Sequence, residues 1–152
     1  MTAARPPSPG PAATAGKGLS GDARPTVFYD GSCPLCRAEI GLYRRDPAGG
    51  ALDYVDVCDA AARLPDGLDR RAALARFHVM APSGAMLSGA AAFVEVWRTL
   101  PRWRWLARLA SLPLALPLLE GAYRLFLHAR PLLVRVFVLL NPSRDAGRGG
   151  GP

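Results

Sequence analysis

What this 152-residue chain has little of already narrows its reading. It carries three cysteines and two histidines. Three cysteines cannot make an all-paired disulfide framework. Tetrahedral zinc wants four Cys or His ligands, yet beside Cys33 and Cys36 stand only Cys58, His78 and His128, with no second CxxC and no HxxxH. Half of a zinc site is therefore the weaker use of those cysteines. Aromatics are sparse at 8%. The apolar runs Leu112 to Leu119 and Leu132 to Leu140 fall far short of the ~20 residues that span a bilayer, and Arg135 interrupts the second. Near the start, Arg5 and Lys17 flank no apolar stretch of the export-signal kind. That absence points to the cytoplasm, where a close cysteine pair is seldom structural.

Acidic residues are scarce in one region only. The net charge is +7, but Arg24 to Trp97 holds 8 basic against 9 acidic residues, while Arg98 to Pro152 holds 9 against 2. A basic region of this kind suits a membrane surface, nucleic acid or an acidic partner. Nucleic acid is disfavoured, since the arginines are scattered among apolar residues without the Gly/aromatic signature of an RNA-binding sheet. Proline and glycine are plentiful, 31 together, and gather partly at the ends. Residues 1–24 read as a disordered Pro/Gly/Ala-rich tail and 141–152 as a flexible one.

Between these tails the pattern is regular. Thr26 to Tyr29 is a short β-branched and aromatic run closed by Asp30-Gly31-Ser32, a strand and a turn. Pro34 suits the first position of a helix, whose apolar face is Leu35, Cys36, Ile40 and Tyr43. Asp46-Pro47 and Gly49-Gly50 end it. Leu52 to Val57 reads as a second strand, parallel to the first. Asp59 is expected to cap a short helix stopping near Pro65, and Asp69 another running to Arg76. Phe77 to Met80 and Ala85 to Ser88 flank Pro82-Ser83-Gly84 as a hairpin. Ala90 to Leu100 is a helix ended by Pro101. The order β-α-β-α-β-β-α over residues 25–100 is that of the thioredoxin-like α/β fold. Residues 101–140 continue as a helical extension broken by Pro113, Pro117 and Pro131. Packing of its apolar side chains on the core, with the arginines solvated, is its simplest role. Peripheral contact of Trp103, Trp105 and the arginines with a lipid surface is the alternative.

The chemistry centres on Asp30-Gly31-Ser32-Cys33-Pro34-Leu35-Cys36. A CxxC that follows a strand and opens a helix lies where unpaired N–H groups and the helix dipole favour a thiolate. Three residues apart, the sulfurs can meet, so one thiol resolves the mixed disulfide formed by the other. Cys33, placed at the exposed mouth of the turn, is expected to be the nucleophile. Cys36, on the apolar face of the helix, is expected to resolve it. Asp30 either takes the proton of Cys36 or is a turn aspartate. Cys58, at the end of the second strand, reads as a small buried hydrophobe rather than a further redox thiol. His78 and His128 read as structural. No bound cofactor is needed, because the cysteines carry the electrons, and no GxGxxG follows a strand to hold a flavin or nicotinamide.

The run Phe28 to Cys36 resembles the signature of the DCC family of predicted thiol–disulfide oxidoreductases, named for one aspartate and two cysteines. The resemblance extends from Val27 to Arg130 through His78-Val79, Gly84, Gly89, Ala92-Phe93, Trp97, Pro101, Trp105-Leu106-Ala107, Pro113 and Tyr123-Arg124. It implies a thioredoxin-like fold, thiol–disulfide exchange with a protein or low-molecular-weight thiol, and a functional role for Asp30, Cys33 and Cys36. One departure stands out. Thioredoxins proper carry a cis-proline before the third strand, facing the cysteines. Here that place is Arg76-Phe77, and Pro82 falls in the hairpin turn. The competing reading is a non-enzymatic redox-sensing or metal-binding module that docks on an acidic partner or a membrane.

Overall fold

The computed structural model describes residues 24–141. The two expected tails lie outside the described residues, apart from Arg24 and Asn141. Four strands, β1 (Thr26–Tyr29), β2 (Asp53–Asp56), β3 (His78–Met80) and β4 (Met86–Ser88), form one mixed sheet in the order β2-β1-β3-β4. β1 pairs parallel with β2, from Thr26 opposite Asp53 to Tyr29 opposite Asp56. β3 runs antiparallel to both β1 and β4. Helices α1 (Pro34–Arg44), α2 (Arg70–Ala75) and α3 (Ala90–Thr99) connect and cover the strands, and α4 (Arg104–Ala110) and α5 (Ala115–Leu140) follow. The chain is a mixed α/β protein with a thioredoxin-like fold.

Strand alternation divides the core. Val27 and Val79 face one side of the sheet with Ile40 and Tyr43 of α1 and Ala92 and Val96 of α3. Phe28 faces the other with Val57, Leu68 and Ala73, the last on α2. Fully burying an aliphatic or aromatic side chain contributes about 1.5–3 kcal/mol, so these two clusters hold the helices on either face of the sheet.

Two local expectations are corrected. Residues 59–65 form turns rather than a helix. The Asp59 carboxylate accepts from Ala61 N at 2.8 Å, and Arg70 donates to the carbonyls of Val57, Asp59 and Ala62. A guanidinium with five donors satisfies this backbone without a helical ladder. The second correction concerns α5, which runs unbroken for 26 residues, with Pro117 in its first turn and Pro131 in its interior. An interior proline removes one intrahelical hydrogen bond and strains the turn before it, and here the contacts of α5 with the core outweigh that loss. Glu120 bonds Arg76 Nη2 at 2.6 Å and Ala90 N at 3.1 Å. Tyr123 Oη accepts from Phe77 N at 2.8 Å, and its ring meets Phe93 edge-on at 5.7 Å. Pro113 does end a helix, in the turn where Leu114 adopts φ 67°. No helix among the described residues is long and apolar enough to cross a membrane.

Candidate active site

The turn after β1 is built to place a sulfur at a helix start. Gly31 N donates to Asp56 Oδ1 at 3.0 Å, which ties the turn to the end of β2. A Cβ at Gly31 would fall on that carboxylate, so the close approach requires glycine here. Ser32 donates through N at 2.9 Å and Oγ at 2.5 Å to Asp30 Oδ1. The chain then enters α1 with Cys33 as its N-cap, in extended conformation, and Pro34 as the first helical residue. Cys33 Sγ accepts from Cys36 N at 3.5 Å. Cys33 thus takes the part that Ser or Asp usually plays in capping, and a thiolate there gains from the positive end of the helix.

A third group joins the two cysteines from far along the chain. Arg130 of α5 reaches back 100 residues to ion-pair with Asp30 Oδ2. The same Nη2 lies 3.8 Å from Cys36 Sγ, and Nη1 donates to Leu74 O at 3.4 Å. These contacts separate the two thiols electrostatically. A hydrogen bond from the Cys36 thiol holds the Cys33 thiol well below its usual range, with help against burial from Cys36 N–H and from Arg130. The same hydrogen bond, then burial, then the nearby Cys33 charge push the Cys36 thiol up. Burial also raises Asp30, but the hydrogen bonds from Ser32, Cys58 and Arg130 together prevail and keep its carboxyl below the ordinary range.

Three sequence expectations meet a different geometry. Cys33 is not at an exposed mouth: it is 5% exposed, more buried than Cys36. The reason is α5, which lays Leu127, Arg130, Pro131 and Val134 along the groove beside Cys33. The CxxC turn taken alone gives no sign of that cover. Cys58 is exposed rather than buried, and its Sγ donates to Asp30 Oδ1 at 3.2 Å. Arg130, grouped by sequence with the solvated arginines, is turned inward. His78 and His128 each bond a backbone carbonyl through Nδ1, at 2.8 Å and 2.7 Å, as structural residues do.

Glu39 is the acidic residue that the motif did not bring forward. It stands one turn beyond Cys36 on α1, and its Oε1 accepts from Tyr43 Oη at 2.6 Å. Burial, against the Tyr43 hydrogen bond and with the Cys33 charge, pushes its carboxyl up to about 7. A titratable group three residues from a CxxC on the same helix face was the available signal. Cys36 and Glu39 share the wall of an apolar cavity of about 250 Å³ with Phe77, Phe93, Tyr123 and Phe126. Arg76 and Phe77, where thioredoxins proper carry proline, line this cavity, and no peptide bond among the described residues is cis. No group of three or more His, Cys, Asp and Glu that could hold a metal ion occurs among the described residues.

The family model described as DCC1-like thiol-disulfide oxidoreductase matches residues 27–136, which include the CxxC turn and Arg130. An uncharacterized chloroplastic protein of Arabidopsis thaliana is 30% identical over 74 residues, 47% of this chain and 35% of that protein. The match therefore spans about a third of the relative's length. No solved structure matches the chain.

Proposed function

This chain belongs to the DCC1-like thiol-disulfide oxidoreductase family, and from that premise we propose that it exchanges a Cys33–Cys36 dithiol with a protein or low-molecular-weight disulfide. The observation that carries the reading is the capping geometry, with Cys36 N–H on Cys33 Sγ and Arg130 lying across the pair. Cys33 thiolate attacks one sulfur of the substrate disulfide. The substrate S–S bond breaks, and the departing sulfur leaves as a thiolate and takes a proton. Cys36 then gives up its proton and attacks Cys33 Sγ. That step releases the second substrate thiol and leaves a Cys33–Cys36 disulfide, so two electrons have passed to the substrate, with one proton supplied by Cys36 and the other by solvent. The reverse sequence oxidises a substrate dithiol.

Each neighbour has a distinct part. Arg130 stabilises the Cys33 thiolate and fixes Asp30. Asp30 spends its oxygens on Ser32, Cys58 and Arg130, and its lowered pKa makes it a poor proton acceptor, so it serves to position Arg130. Glu39, raised to about 7 and in the same cavity as Cys36, is the better matched acceptor for the Cys36 proton, since a base works best near the ambient pH. Because α5 covers Cys33, a bulky protein substrate requires α5 to shift, whereas a small disulfide does not.

The test is trapping. Cys36→Ser should accumulate a mixed disulfide on Cys33 when incubated with a low-molecular-weight disulfide, and Cys33→Ser should not. Equal adduct formation by both variants would end the assignment of roles.

A further inference from the structure

The helical extension buries only part of its apolar side chains on the core: Trp103 packs edge-on against Tyr43 and Ala107, Ala110 and Leu119 pack with Val94, while a row of leucines stays outside. Leu118, Leu125, Leu132 and Leu139 of α5 are 72%, 71%, 63% and 78% exposed. Their seven-residue spacing puts them on one stripe about 30 Å long at 1.5 Å per residue. Val136 and Leu140 widen its end. The opposite side of α5 carries Glu120, Tyr123 and Arg130 into the core, so the helix cannot turn its leucine stripe inward. The stripe continues onto α4 and the turn after it, where Trp105 and Leu109, then Leu112, are more than half exposed. Leu109 and Leu112 meet Leu118 across a shallow groove between the two helices. At its edge Arg98, Arg104 and Arg108 surround a hollow with Ser111.

We propose that this outward face of α4 and α5 docks flat on an anionic lipid bilayer, with the leucine stripe in the acyl boundary and Arg98, Arg104 and Arg108 on phosphate headgroups. Continuous exposed apolar surface of this extent marks an interaction site, and an apolar stripe flanked by arginines with an interfacial tryptophan suits a membrane plane. Charge complementarity decides among occupants. Glu120 is the one acidic residue between Arg98 and Asn141, and Arg76 and Arg124 already hold it; Glu95, one turn before Arg98, is already paired with that arginine at 3.7 Å. A second copy would therefore bring arginines with no acid to meet them. The chain's own ends do not fit either: residues 1–23 offer only Met1 and Leu19 as large apolar side chains, and residues 142–152 offer none. A negatively charged apolar surface supplies both missing complements, and no helix among the described residues is long and apolar enough to cross a membrane, so this face would attach by lying on the surface.

The experiment is vesicle co-sedimentation of the full chain with phosphatidylglycerol/phosphatidylcholine vesicles and with phosphatidylcholine alone, at low and high salt. Binding to the anionic vesicles at low salt, weakened at high salt, is expected. Arg98→Gln/Arg104→Gln/Arg108→Gln should weaken it by roughly 100-fold, since three basic residues near an anionic surface contribute about a kcal/mol each. Leu125→Glu/Leu132→Glu should abolish it, with circular dichroism and light scattering confirming a folded monomer. No anionic-vesicle binding, equal binding by the leucine variant, or a stable dimer of the parent chain in light scattering would overturn the proposal. Cys33→Ser/Cys36→Ser should bind vesicles like the parent while losing exchange, so the failure of one reading is separable from that of the other.

Discussion

Arg130 carries most of what is particular to this site. Its guanidinium lies between the Asp30 carboxylate and the two sulfurs, and it helps lower the Cys33 thiol. Arg130→Gln should move the midpoint of the pH profile for iodoacetamide labelling of Cys33 upward, toward the ordinary cysteine value of about 8.5. It should also lower the reduction potential of the pair, because a less stable thiolate destabilises the reduced form. Each pKa unit so lost corresponds to about 30 mV for this two-electron couple. A merely structural arginine would leave both readouts in place. Glu39 makes a second residue-scale prediction. Its carboxyl is raised to about 7 in the fold from 4.5, so the fold favours the protonated form. That stability is fully present below pH 4.5 and is lost as pH rises through 7. Glu39→Gln keeps an acceptor for Tyr43 Oη and removes this loss. It should be the more stable protein at pH 8, by on the order of 2–3 kcal/mol in urea denaturation, with little difference at pH 4. Its resolving step should lose the pH dependence near 7.

At the scale of elements, α1 and α5 make the site together. α1 supplies the N-terminal cap that holds Cys33, and α5 supplies the cation and the cover. α5 can do this only because it is latched along its inner side. Glu120 joins Arg76 at the edge of β3 to the first N–H of α3. No side chain caps α3 from within, since Gly89 occupies its N-cap at φ 60°. Arg76, then the Ala90 N–H, hold the Glu120 carboxyl down at about 2. A depressed carboxylate contributes stability above its unfolded pKa and loses it as pH falls toward the folded value. Glu120→Gln should therefore lower the stability read from urea denaturation at pH 7 by about 1 kcal/mol, since the amide can still accept from Ala90 N but loses the charge that pairs with Arg76 and Arg124. The difference from the parent should shrink between pH 4.5 and 2. A constant difference across that range would separate Glu120 from the latch.

For the whole molecule, the sheet and its three connecting helices form an ordinary two-sided core, while the extension uses one side for the site and leaves the other bare. That division explains why the net charge is concentrated after Arg98: the core is near neutral, and the basic groups rim an apolar face. It also ties cover to docking, since α5 carries both Pro131 and Val134 beside Cys33 and the leucine stripe on its far side. Iodoacetamide labelling of Cys33 should accelerate several-fold when anionic vesicles engage α5 if docking draws the helix away from the groove. An unchanged rate with bound vesicles would show that cover and docking are mechanically separate.

Local chemistry by itself determined most elements of the core and the candidate pair of cysteines. Thr26 to Tyr29 could hardly be other than a strand, Pro34 marks a helix start, and Gly31 and Gly84 mark turns. Their order leaves the thioredoxin-like sheet as the natural arrangement, because short connections restrict strand neighbours. Asp30, Cys33 and Cys36 lie within seven residues, so their proximity needs no tertiary structure. The tertiary structure alone decided what surrounds them. Arg130 is 100 residues from Asp30, and nothing in its local spacing distinguishes it from Arg124 or Arg135. Burial of Cys33, exposure of Cys58 and the sharing of a cavity by Cys36 and Glu39 depend on where α5 and β2 come to rest. α5 survived Pro131 because long-range contacts outweighed a local penalty. The same helix shows the limit of periodicity: its apolar residues run around both sides, and only packing against the core determined which leucines remained outside.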